Sequence, residues 1–371
     1  MRVDTDNPRV SAALVRIRRL LLEHSGFVAD DLIVRERSGQ FSCAIGRDEH
    51  VAGRLLVSYP MRLAVPMHEL TLGEEGGALM ALDGFESLRP VHRELLECWL
   101  VLVNETRKMS GAREVLPSAA VKSPELKTHL AVGAPGLRRA GTATDDSIRR
   151  TIVEWHSASV PGRQPGDPPR LYLYSLKNLV NHHHTGAPQG PFDGRTGVVT
   201  SASSDSVETY ENYGDLDAFQ ALVSMGFVPR DAPMVHSIPL DFEDTVFGRV
   251  RVLGKARRGS AVKEPPRAPR LTPTSGGLDI AHLTARPGNR AATVVFLSMA
   301  LQSERHTSPR PAMQAAEDLL DRIAAANIEF YRELDRLLAR PDVRNGTGKV
   351  MLELLAGMSQ TQRRILRQHW G

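Results

Sequence analysis

A chain of 371 residues with 41% hydrophobic content is long enough for two domains and ordinary in composition for a globular protein. Its net charge of +4 is too small to argue for nucleic-acid binding. The longest apolar run, Cys98-Trp-Leu-Val-Leu-Val103, is far short of a membrane span, so neither nucleic acid nor membrane is an expected partner. Two cysteines, Cys43 and Cys98, make no disulfide framework and fit a reducing compartment. With the polar, acidic start Met1-Arg-Val-Asp-Thr-Asp-Asn-Pro8, the expectation is a cytoplasmic protein without a secretory signal.

In chain order, residues 9–23 put Val10, Leu14, Ile17, Leu20 and Leu21 on one helical stripe. Residues 31–66 read as short strands broken at Gly39, Gly46, Gly53 and Pro60. Residues 88–109 predict a helix that buries Leu95, Leu96, Trp99, Leu102 and Val103. A polar stretch with glycines and prolines follows from Gly111 to Gly141, then a helix over 145–155. Strands resume at Arg170-Leu-Tyr-Leu-Tyr174, after the breaker run 161–169.

Val180 to His184 reads as a strand end that turns at Thr185-Gly186. Two further strands are expected at 235–240 and 246–253. The basic alternation from Arg249 through Lys255 to Lys263 reads as a solvated strand face and turn, or alternatively as a docking patch for an acidic partner. Residues 263–277, rich in Pro, Arg and Gly, read as an exposed linker or a disordered tip. The last hundred residues are expected to be helical. Ala316, Leu320, Ile323, Asn327, Phe330, Leu334 and Leu337 line a helix of roughly 27 residues that Pro341 closes. Met351 to Ile365 supply one or two more.

The segments that carry chemistry lie between Asn181 and Val228. They are Leu179-Val-Asn181-His182, Tyr210-Glu-Asn-Tyr213-Gly-Asp215 and Ser224-Met-Gly-Phe227-Val228, with 32 residues from Asn181 to Tyr213 and 14 from Tyr213 to Phe227. In that order and spacing they resemble the carboxyl-terminal half of a SET domain, the fold of many protein lysine methyltransferases that use S-adenosylmethionine. The order of strands, helical insert, strands and helical tail is similar to the group typified by the RuBisCO large-subunit methyltransferase. Ile45 to Pro60 fits that group's pattern as well.

Three stretches depart from it. The glycine motif is reduced to Ser38-Gly39-Gln40-Phe41, with the second glycine missing. The Asn-His-Ser motif becomes Asn181-His182-His183, and the Gly-Glu-Glu before the catalytic strand becomes Asp205-Ser-Val-Glu-Thr209.

The resemblance implies an α+β chain: a SET-type β fold with a helical insert, followed by an all-α carboxyl-terminal domain. Its parts would be 1–75, an insert at 76–165, 166–234, and a mainly helical 235–371 that binds substrate or partner. It implies Tyr213 as the catalytic hydroxyl that orients methyl and amine, with Tyr210 on the wall of the lysine channel. Methyl transfer from a sulfonium needs an in-line amine freed of its proton and of water, which is why an orienting hydroxyl matters there. Ser38, Gly39, Phe41, Asn181, His182 and Phe227 would hold the cofactor. Arg163, eight residues after Trp155, would face its carboxylate.

The run His182-His183-His184 does not predict a metal site, because successive side chains on an extended segment point to opposite sides. Three functions remain open at this point: a methyltransferase acting on a protein lysine, a SET-like enzyme of specialised metabolism acting on a small-molecule or peptide amine, and a non-catalytic SET-like binding protein. Oligomeric state has no signal in the sequence.

Overall fold

The computed structural model describes residues 1–46, 54–135, 137, 144–160, 170–176, 179–188, 196–200, 208–212, 216–254, 269–305 and 307–370. The chain forms two compact units. The first comprises Met1–Arg113 and Ala143–Gly214, the second Glu114–Thr142 and Asp215–Gly371. Among the described residues no helix is long and apolar enough to cross a membrane.

The first unit opens with strand β1 (Arg2–Asp4) and helix α1 (Pro8–Glu23). Asn7 starts the helix, its side chain accepting from the N–H groups of Arg9 and Val10, and Pro8 occupies the first turn, where no N–H is needed. The expected stripe is buried in full. Strands β2 (Phe27–Val28), β3 (Leu32–Arg37), β4 (Gln40–Ile45), β5 (Leu55–Pro60) and β6 (Val65–Pro66) follow, then the hairpin β7 (Thr71–Glu75) and β8 (Ala78–Asp83). Helix α2 (Pro90–Glu105) packs on α1, with Leu95, Leu96, Trp99, Leu102 and Val103 buried as the sequence predicts. Arg16 and Arg19 of α1 both pair with Glu94 at the rim of that contact.

Helix α3 (Lys108–Val115) begins in the first unit; α4 (Pro117–Ala120) and α5 (Pro124–Gly133) lie in the second. These three occupy the polar stretch with glycines and prolines, inside the expected helical insert. Its prolines start helices instead of breaking structure: Pro117 and Pro124 stand in first turns, and Ser123 caps α5 by accepting from Leu126 N–H at 3.3 Å.

The chain returns to the first unit with α6 (Asp145–His156), β9 (Ser157–Val160), β10 (Arg170–Leu173), β11 (Asn181–Pro188), β12 (Thr196–Thr200) and β13 (Tyr210–Asn212). The late strands complete the early ones. β12 pairs with β5, β10 pairs antiparallel with β6, and Thr209 bridges Cys43 of β4 through a 2.7 Å backbone hydrogen bond. β11 and β13 pair in parallel, Asn181 opposite Tyr210, with a register shift between His182 and Ala187. The expected turn at Thr185-Gly186 is therefore an irregularity within a longer strand. Extended backbone continues because β13 offers it a partner.

The second unit contains α7 (Ala218–Met225), β14 (Val235–His236), β15 (Leu240–Asp244), β16 (Gly248–Val252), β17 (Arg270–Thr274), β18 (Gly277–Ala281) and β19 (Thr284–Ala285). Helices α8 (Asn289–Arg305), α9 (Pro309–Ala339), α10 (Pro341–Asn345) and α11 (Lys349–His369) follow. Its core joins Val121, Leu126 and Leu130 to Leu222, Val250, Ile280, Ile323 and Leu355.

An all-α carboxyl-terminal region is thus not what forms. Residues 235–285 build a four-stranded sheet in the order β15-β16-β18-β17, with β14 and β19 as a separate pair. The stretch read as a linker supplies β17. Pro273 is tolerated there because β17 is an edge strand, and Leu278 and Ile280 of β18 alternate into the core. On the described part of the basic stretch, Arg249 pairs with Asp241 at 2.7 Å and Arg251 with Asp279 at 2.6 Å, while Lys255 to Lys263 fall outside the described residues.

Candidate functional site

The β3–β4 hairpin sets the first wall of the site. Arg37 and Gln40 are register partners, so Ser38-Gly39 is a two-residue turn. Both turn residues have positive φ, 51° and 80°, the pattern of a type I′ turn that matches strand twist. Gly39 is required twice over, since a Cβ there would also lie 2.8 Å from the Thr106 carbonyl oxygen. Glu36 braces the turn: its Oε1 accepts from Gly39 N–H at 2.7 Å and its Oε2 from the Thr5 hydroxyl at 2.7 Å.

Two residues on, Phe41 is buried and joins distant parts of the chain. Its carbonyl accepts from Asn181 Nδ2 at 2.9 Å, and Lys108 Nζ stands 5.8 Å from its ring centroid. Asn181 Nδ2 also donates to Glu208 Oε1 at 2.6 Å. The same β-ladder brings Tyr210 opposite Asn181. The Tyr210 ring lies 5.1 Å from that of His183, whereas His182 and His184 pack edge to face at 4.8 Å. The expected alternation of the three histidines is thus what the strand adopts. Among the described residues, no three His, Cys, Asp or Glu side chains are grouped to hold a metal ion.

Of the residues singled out from sequence, Ser38, Gly39, Phe41, Asn181, His182 and Tyr210 lie on the hairpin and the β11–β13 pair of the first unit. Asn181 is exposed, not buried, and its amide nitrogen is committed to Phe41 and Glu208. Phe227 is half-buried in the second unit, just after the Gly226 that ends α7. Arg163 and Tyr213 fall outside the described residues.

Sequence reading missed the group beneath the hairpin. Lys108 is largely buried, which pulls its ammonium below the ordinary value, while the Glu36 carboxylate opposes that shift. His156 is half-buried and pushed down to about 3, first by burial and then by the charge of Lys108. Its ring sits 5.9 Å from Trp99, edge to face. Trp99 Nε1 and the Thr209 hydroxyl are buried with no hydrogen-bond partner among the described residues. Lys108 and His156 carry no motif, and the one signal was a cation directly after the end of α2. A groove of about 610 Å³, within the ~300–1,000 Å³ range of small-molecule sites, runs beside the turn. Asn7, Glu36, Ser38 and Glu105 help line it, but Phe41, Asn181, His182 and Tyr210 do not.

No protein-family model and no curated protein matches the chain. Thirteen solved chains match it in structure. One is the SET domain of LSMT bound to lysine and AdoHcy, 13% identical, with a TM-score of 0.42 over 98% of this chain and 91% of that one. Another is Rubisco LSMT bound to sinefungin and monomethyllysine, 12% identical, with a TM-score of 0.40 over 98% and 90%.

Proposed function

We propose that the chain is an S-adenosylmethionine-dependent N-methyltransferase of SET type, acting on a protein lysine. The observation that carries this reading is the convergence on Phe41. The reduced glycine motif, the Asn-His motif and the Tyr210 strand lie far apart in sequence, yet one hydrogen bond and one parallel ladder join them. Those are the segments that the ordered motifs single out.

The residues present suit such a cofactor. With its amide nitrogen committed, Asn181 keeps Oδ1 as an acceptor for an ammonium group, and the buried Thr209 hydroxyl beside Cys43 has hydrogen-bonding capacity in reserve. When bound, S-adenosylmethionine would supply an electrophilic methyl group. The chain's own work is to orient the amine, strip it of water and let its proton leave. In this reading Tyr213 supplies the orienting hydroxyl and Tyr210 one wall of the approach. Arg163 keeps its assignment toward the carboxylate.

A second reading has an observation of its own. Phe41 occupies the place of the missing glycine, and its buried ring adds bulk where the motif leaves room. A non-catalytic SET-like binding protein would look like this. Calorimetric titration with S-adenosylmethionine separates the two, and the absence of both heat and thermal shift at millimolar cofactor would sink the enzyme. For the enzyme, Tyr213→Phe should leave cofactor affinity within a few-fold and cut turnover on lysine peptides by roughly a hundredfold or more, since an interaction made mainly in the transition state lowers kcat. A variant that is destabilised yet fully active would remove Tyr213 from that role.

A further inference from the structure

We infer that Lys108, over the Phe41 ring, binds the carboxylate of the cofactor's amino-acid end, and that Asn181, bonded to the Phe41 carbonyl, takes its ammonium. The inference rests on the S-adenosylmethionine reading above. It assigns the anion-binding role to a residue of α3 in addition to, or in place of, Arg163.

Three features lead there. First, Lys108 is a cation held against an aromatic face, with Nζ 5.8 Å from the Phe41 centroid. Such a contact favours the charged form but satisfies none of the three N–H donors. Second, Lys108 has no carboxylate within ion-pair distance among the described residues. The carboxylate whose charge it feels, Glu36, has both oxygens engaged, one by Gly39 N–H and the other by Thr5. Third, His156 feels the charge of Lys108 from a half-buried position and is held neutral, so it neither competes for an anion nor supplies one.

A partly desolvated ammonium among neutral rings, with Glu36 acting on it only from beyond ion-pair distance, has no counter-charge in contact with it to repay its burial. An anionic ligand group supplies it. Phe41 links that cation to Asn181, whose Oδ1 accepts no hydrogen bond among the described residues and suits an ammonium. Cation and acceptor together match an α-amino acid, the chemical end that S-adenosylmethionine carries.

The test compares two probes. One is S-adenosylmethionine; the other is its decarboxylated form, which keeps the amine, sulfonium, ribose and adenine. Both are titrated into the full chain and into Lys108→Met, Lys108→Arg and Arg163→Met. Wild type should prefer the carboxylated probe by about tenfold or more, as expected for a charge-assisted hydrogen bond. Lys108→Met, which keeps the aliphatic stem on Phe41, should lose about 10–100-fold for S-adenosylmethionine and within about twofold for the decarboxylated probe. Lys108→Arg should recover most of the preference.

Equal losses for both probes in Lys108→Met, with a lower melting temperature, would mean packing alone and overturn the clamp. So would an unchanged preference in Lys108→Met that Arg163→Met abolishes. Either result leaves cofactor binding by the wild type intact, and with it the methyltransferase reading. A wild type that binds neither probe overturns both.

Discussion

At the scale of single residues, the hairpin turn and the group beneath it are the most exacting parts of the chain. Gly39 combines φ of 80° with a backbone oxygen 2.8 Å from where a Cβ would stand. Gly39→Ala should therefore destabilise by about 1–3 kcal/mol, read as a lower urea midpoint with an unchanged m-value. An unchanged midpoint would show that the turn relaxes freely. His156 contributes to the acid limb. Its folded value of about 3 lies below the ordinary 6.5, so the unfolded chain takes up the proton first. Stability from this group is complete above about pH 6.5 and declines as pH falls toward 3, by up to about 1.4 kcal/mol per pH unit. His156→Phe should flatten that limb when urea midpoints are followed from neutral pH downward. A variant limb that superimposes on the wild type would assign the acid sensitivity to other groups.

At the scale of elements, what was legible in the sequence depended on periodicity, and what was not depended on partners. α1, α2 and α9 announce themselves through apolar stripes that the fold buries. α4 and α5 hide behind prolines that mark beginnings, and β17 hides behind a proline that only an edge strand admits. α7 shows how one polar residue can fix an element. Asp217 caps it, accepting from Gln220 N–H at 2.7 Å, and grips β14 through His236 N–H at 2.8 Å and Nδ1 at 3.1 Å. Burial pushes this carboxyl up, and the His236 and backbone hydrogen bonds bring it back below its usual range. Asp217→Ala should cost about 3–5 kcal/mol, because it leaves a buried histidine and two N–H groups unanswered. Asp217→Asn should cost less, keeping the acceptor but not the charge. Denaturant melts of the two variants check this, and a loss below about 1 kcal/mol for alanine would make the contact incidental.

At the scale of the whole molecule, both units are assembled from separated stretches. Val121, Leu126 and Leu130 belong to the core of the second unit, and Lys122 N–H bonds to Gly346 O at 2.8 Å. A fragment of residues 215–371 should therefore lack a cooperative thermal transition and bind ANS, whereas one that restores 114–142 by a linker should melt cooperatively. A cooperative melt of the shorter fragment would show the inserted helices to be dispensable. The same discontinuity limited what sequence could say of the site. Asn181 and Tyr210 are visible as spacing, but the hydrogen bond from Asn181 to Phe41 joins residues 140 positions apart. Lys108 and His156 acquire their character only from that enclosure.

The bridge from Thr209 back to Cys43 also has a consequence in time. On a ribosome, β4, β5 and β6 emerge long before the strands that complete them. Roughly a hundred further residues separate Arg113 from Asn212, which at about 5–20 residues per second is a delay of some 5–20 seconds. During that interval the early strands present open edges and apolar faces, the condition under which nascent chains recruit holdase chaperones or pair with one another. Slowing elongation within residues 114–209 by synonymous codon replacement should therefore lower the soluble yield while leaving the purified protein unchanged.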